Sequence, residues 1–123
     1  MQGYKDLVVW QKAMELVVAV YKVSKAFPKA ELYGLTSQMQ RAVVSIPSNI
    51  AEGHALKQTQ AYLRHLAIAS GSLAELETQL EIGARLGYLT FESRLIFAQA
   101  SEVGRMLVGL RKSLQAGLPS AKS

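Results

Sequence analysis

Residues 35–53 read Leu-Thr-Ser-Gln-Met-Gln-Arg-Ala-Val-Val-Ser-Ile-Pro-Ser-Asn-Ile-Ala-Glu-Gly, and a helix laid through them sorts into three faces rather than two. At 100° per residue, Met39, Val43, Ile46 and Ile50 form one apolar line, and Val44, Pro47 and Ala51 form a second. Gln38, Arg41, Ser45, Ser48 and Glu52 make a polar seam between them, with Asn49 at its edge. Solvated helix faces are rich in Lys and Glu, whereas this seam is mostly Ser and Gln with one Arg and one Glu. Such groups suit a protein contact in which they satisfy one another's hydrogen bonds. The stretch therefore predicts a helix with a core face and a second interface.

A counterpart lies in residues 71–80, Gly-Ser-Leu-Ala-Glu-Leu-Glu-Thr-Gln-Leu. Tyr62, Leu66, Ala69, Leu73, Leu76 and Leu80 make an unbroken core stripe, while Glu75 falls on another line with Ile68, Ser72, Ile82 and Leu86. A carboxylate flanked by isoleucines needs a partner if that line is buried. Arg41 is the expected one. Arg41, Ser45, Asn49, Glu52 and Glu75 are thus expected to form a structural polar network that fixes helix pairing and subunit register. Removing Arg41 from a buried pair would cost roughly 3–5 kcal/mol.

The remaining periodicity gives four helices and no strand alternation. The first is expected from about Leu7, capped by Asp6, to about Ala26, where Phe27-Pro28 stops it, with Trp10, Ala13, Met14, Val17, Val20 and Tyr21 turned away from its charged side. The second begins near Thr36 or Ser37, where Ser37 and Gln40 resemble a capping box, and ends at Gly53, with a bend expected at the internal Pro47. The third runs from Thr59 to about Leu86, with Gly87 as its stop. The fourth is capped by Thr90 and runs to about Leu114, with Leu95, Ile96, Gln99, Val103, Met106, Leu107, Leu110 and Leu114 as its core face. Short connections favour antiparallel neighbours. The expectation is an all-α, antiparallel up-down-up-down four-helix bundle over residues 1–115, assembling as a homo-oligomer, with a disordered tail over 116–123.

A chain of 123 residues forms one domain with a real core. Its hydrophobic share of 50% is high for a small domain, and burial of more than one face per helix by self-association accounts for the excess. No apolar run reaches the length of a membrane span: Leu16 to Val20 is flanked by Glu15 and Lys22. The N-terminus lacks the hydrophobic stretch of a signal peptide, so a cytoplasmic protein without membrane contact is expected. With no cysteine, disulfides, cysteine metal sites and thiol nucleophiles are excluded.

Neither His54 nor His65 has an acid three residues before it, as a di-iron bundle would require, so no metal and no cofactor is expected. Ser45, Ser48, Ser70 and Ser72 sit in no nucleophile elbow, and Gly53 and Gly71 form no phosphate-cradling run. No catalytic residue is assigned. The net charge of +5 is unevenly placed: residues 53–74 carry Lys57 and Arg64 and no acid. On the fourth helix Arg94, Arg105 and Lys112 share one line, spaced 11 and 7 residues apart. Arg94, Arg105, Lys112, Lys57 and Arg64 are the candidate nucleic-acid-binding residues. An ordinary solvated face would show the same spacing, so a protein-protein scaffold or adaptor with an unidentified protein partner stands as the alternative.

Trp10-Gln-Lys-Ala, Phe27-Pro28, Gln38 to Gly53 and Ala69-Ser-Gly-Ser-Leu-Ala-Glu-Leu-Glu-Thr-Gln-Leu, in this order, resemble the four-helix bundle proteins encoded in intervening sequences of 23S ribosomal RNA genes. The resemblance runs from about Tyr4 to Leu114. It implies a homopentamer. It also implies kinship with the accessory variability proteins of diversity-generating retroelements, which work with a reverse transcriptase and bind nucleic acid. The resulting expectation is a non-catalytic, pentameric helical bundle that binds nucleic acid, above all structured RNA.

Overall fold

The computed structural model describes residues 3–118, which form four α-helices and no strand. They are α1 (Val8–Ser24), α2 (Leu35–Ala55), α3 (Thr59–Arg85) and α4 (Leu95–Ala116), with single 3-10 turns at Gly3–Asp6, Lys29–Glu31 and Glu92–Arg94. The apolar stripes decide the packing. Met39, Val43, Ile46 and Ile50 of α2 are fully buried, as are Leu66, Ala69, Leu76 and Leu80 of α3, with Tyr62 and Leu73 almost so. α2 packs most extensively on α3, and α1 with α2, α3 with α4 and α1 with α4 complete the packing.

Core burial outweighs capping in holding these helices. Leu7, Gly34 and Arg94 precede α1, α2 and α4 without a side-chain cap, whereas the Gln58 side chain accepts from Ala61 N at 2.7 Å before α3. A cap contributes about 1 kcal/mol. Each of the twelve large side chains left below 2% exposure contributes about 1.5–3 kcal/mol of transfer free energy.

Several boundaries depart from the expectations. Leu7, not Asp6, precedes α1, and Asp6 closes a 3-10 turn. α2 begins at Leu35, where Glu31 Oε1 accepts from the Leu35 amide at 3.4 Å; Ser37 lies inside the first turn, and its hydroxyl accepts from Arg41. Nor does α2 end at Gly53. It continues to Ala55, and the left-handed residue is Lys57, with φ 54°. Gly53 serves another purpose: a Cβ there would stand 2.7 Å from His65 Cβ and 3.0 Å from Tyr62 Cδ1, so its absence lets α2 and α3 approach. Gly87 does end α3, at φ 80°, with Tyr88 N bonded to Gly83 O and Gly87 N to Ala84 O, the paired bonds of a Schellman motif. Thr90 caps a 3-10 turn by accepting from Ser93 N, so α4 starts only at Leu95, whose side chain is 73% exposed instead of joining the core.

α2 runs without interruption through Pro47, which is buried. On the α1 side of the same helix, Val44 stays 41% exposed. The expected tail begins within the last turn of α4, at Ala116, and residues 119–123 of it lie outside the described residues.

Candidate functional site

The polar seam of α2 is closed against α3 by short side chains one turn apart. Ser45 Oγ lies 2.8 Å from Ser72 Oγ, and Asn49 Nδ2 donates to the Ser45 carbonyl at 2.9 Å and to Ser45 Oγ at 3.0 Å. A carbonyl only accepts, so the amide nitrogen of Asn49 must face Ser45 and its oxygen must face α3. That oxygen meets His65 Nδ1 at 2.9 Å, which places the imidazole proton on Nδ1 and turns Nε2 toward Glu52 Oε2 at 3.9 Å. Ser72, Ser45, Asn49 and His65 therefore form one continuous polar chain across two helices, and the exposed Glu52 carboxylate stands beyond its end, too far from Nε2 for a hydrogen bond. Gly53 sits beside it, where the backbones are closest.

Of the network expected from sequence, Ser45 and Asn49 belong to this chain and Glu52 only stands near its end; Arg41 and Glu75 take no part in it. Both are exposed, and no ion pair joins them among the described residues. Arg41 Nη1 donates to Ser37 Oγ at 2.9 Å instead. With Gln38, Ala42, Ser45 and Ser72 the two line a small cleft of about 190 Å³. The line of α3 that carries Glu75 is half solvated, Ile68 and Ile82 being 47% and 44% exposed, so the premise of a buried carboxylate fails. Sequence reading missed His65 and Ser72 as members. Ser72 had been placed on the Glu75 line, and His65 lies seven residues before it, two helical turns away on the same face.

The five candidate nucleic-acid-binding residues are all exposed, and none enters an ion pair among the described residues. They do not gather in one cluster. Arg105 and Lys112 share the outer face of α4, while Arg94 precedes the helix, about 27 Å from Lys112 at 1.5 Å per residue. Arg111 Nη1 donates to Ser70 Oγ at 3.3 Å, which lays the last turns of α4, and Lys112 with them, beside the half of α3 that carries Arg64. Lys57 occupies the short connection just before α3.

Between α1 and α2 an apolar groove of about 400 Å³ is lined by Tyr4, Trp10, Met14, Val17, Val44, Pro47, Ser48 and Ala51. The second apolar line of α2 forms one wall. Met14 at 40% and Val44 at 41% exposure leave this groove open in the single chain. Among the described residues no three of His, Asp and Glu are arranged to hold a metal ion, and no helix is long and apolar enough to cross a membrane. Burial raises the Tyr62 phenol above its ordinary value. The Tyr88 phenol is raised by its hydrogen bond to Glu31, then by burial, then by the Glu31 charge. Neither shift makes a base near neutral pH.

These features define an all-α protein of four helices that carries, among the described residues, a polar seam, an apolar groove and surface cations outside any ion pair. Residues 5–109 match the family described as 23S rRNA-intervening sequence protein, and the chain belongs to that family. Among solved structures it is similar to a protein of unknown function from the S23 ribosomal protein family of Bacteroides thetaiotaomicron VPI-5482. The two are 25% identical with a TM-score of 0.78, over 85% of this chain and 98% of that one. No curated protein matches the chain.

Proposed function

We propose that the protein is a non-catalytic, cytoplasmic homo-oligomer, pentameric by its family resemblance, that binds nucleic acid, above all structured RNA, through cations repeated around the assembly. Each subunit is an up-down-up-down bundle, a topology supported by the short α2–α3 connection and by helices that pack on their chain neighbours with α4 closing on α1. The observation that carries nucleic-acid binding is the solvation of Arg94, Arg105, Lys112, Lys57 and Arg64, none of which is paired with a carboxylate among the described residues. Five copies of a +5 chain would present about +25 on one particle. That is enough to attract phosphate backbones strongly at low salt. The open groove between α1 and α2 supports self-association through the second apolar line of α2.

The same groove favours the second reading, a protein-protein scaffold or adaptor. Salt separates the two, because phosphate contacts release counterions and an apolar contact does not. Titration against structured RNA and a mixed duplex from about 50 to about 300 mM salt is expected to show affinity falling steeply. Changing Arg94, Arg105 and Lys112 together to Gln is expected to flatten that slope while leaving the oligomer intact. No binding at the lowest salt would leave the scaffold standing.

A further inference from the structure

The two longer connections meet at one end of the bundle. Glu31, in the α1–α2 connection, accepts from the Tyr88 hydroxyl of the α3–α4 connection at 3.0 Å with Oε2, while its Oε1 faces the Leu35 amide. Phe27 packs edge-on against Tyr88 at 5.1 Å and reaches Gly83, where a Cβ would stand only 2.7 Å from the ring. The Schellman bonds at Gly87 and the Thr90–Ser93 bonds fix the second connection further. Both connections are thus held by specific contacts.

From them project the two most exposed rings among the large hydrophobic side chains, Tyr33 at 94% and Phe91 at 88%. They lie two and three residues from the Glu31–Tyr88 bond. A solvent-exposed ring contributes no burial to the fold that would account for its place on a fixed loop, and Phe91 has no polar group to offset its exposure. The surrounding charge is mostly positive. Lys25, Lys29 and Arg94 are exposed and outside any ion pair among the described residues, against two nearby carboxylates, Glu92 and the half-buried Glu31 that accepts from Tyr88. Flat rings held beside cations match the stacking faces and phosphates of unpaired nucleotides.

We propose that this end of the bundle binds single-stranded nucleic acid, with bases stacked on Tyr33 and Phe91 and phosphates on Lys25, Lys29 and Arg94. The inference rests on the nucleic-acid reading above and adds to it a strand preference and a place. Paired bases cannot offer their faces to the rings, so a loop or an end of a structured RNA is the part engaged.

The test is anisotropy titration of the full-length protein with a short, labelled, mixed-sequence single-stranded RNA and with its duplex, comparing the parent with the Tyr33→Ser, Phe91→Ser double variant. Both rings are solvent-exposed, so thermal melting is expected to be unchanged. Single-strand affinity is expected to fall about tenfold for each ring lost, while duplex affinity holds, and replacing both rings by Trp is expected to restore it. Equal single-strand affinity in parent and double variant, with RNA still bound, would overturn the stacking site and leave the broader reading intact. Failure of the parent to bind either RNA at low salt would remove that broader reading and this one with it. Two further results would also overturn the site: dissociation of the oligomer by the double substitution, which makes the rings a self-contact, and loss of binding to anionic vesicles with RNA affinity unchanged, which makes them a membrane contact.

Discussion

Along the α2–α3 contact, the stretch around Asn49 and the stretch around Arg41 are written in similar polar residues, yet the first is closed by bonds within the chain and the second stays open. Ser45, Asn49, His65 and Ser72 are short or rigid side chains that meet where Gly53 lets the backbones approach. Arg41 and Glu75 are long, solvated, and line a cleft without pairing. Side-chain reach and backbone separation thus sort a polar seam into an internal lock and an outward surface. Holding two long charged side chains in one solvated geometry gains little, because lost rotamer freedom and water screening offset the attraction.

The closed stretch is the more fragile. Gly53→Val would drive a side chain into His65 Cβ and Tyr62, and since a Cβ cannot swing away, the helices must separate. The expected cost is about 3 kcal/mol by urea unfolding, with the overpacking concentrated at the Asn49–His65 bond. A variant as stable as the parent would show that the close approach is not needed. Asn49→Ala comes next, at about 2 kcal/mol, because it strands the His65 Nδ1 proton and removes two bonds to Ser45. A loss no larger than that of an exposed-site substitution would break the claim that the seam is locked.

Arg41→Ala is expected to be the smallest, below about 0.5 kcal/mol in the stability of the fold, since Arg41 is exposed and its side chain bonds to Ser37 on its own helix. If Arg41 serves a contact between copies, the substitution shifts the association equilibrium instead. A fold penalty of several kcal/mol would restore the buried-pair expectation and erase the contrast with Asn49.

Much of the fold was legible because burial follows helical period. The Met39, Val43, Ile46, Ile50 line and the α3 stripe from Tyr62 to Leu80 are core as read. Ends were less legible, because a cap is chosen by tertiary context: Gly53 resembles a stop signal but is spent on close packing, and the left-handed turn falls to Lys57. The seam was half legible for a related reason. Periodicity assigns Glu75 and Ser72 to one line, but only the local distance between helices decides that the serine reaches across. The exposed rings escaped notice because Tyr33 and Phe91 are separated by 57 intervening residues and come to one end through tertiary contacts, the Glu31–Tyr88 bond and the Phe27–Tyr88 ring contact among them.

Whether α2 works with two contact faces is tested most directly by sedimentation equilibrium of the parent protein at micromolar concentration. The open groove between α1 and α2, with Val44 and Pro47 in its walls, predicts a particle whose mass is a multiple of the 13.4 kDa chain, five copies by the family resemblance. A single species of 13.4 kDa would contradict the second face and, with it, the multiplication of charge on which the nucleic-acid reading depends.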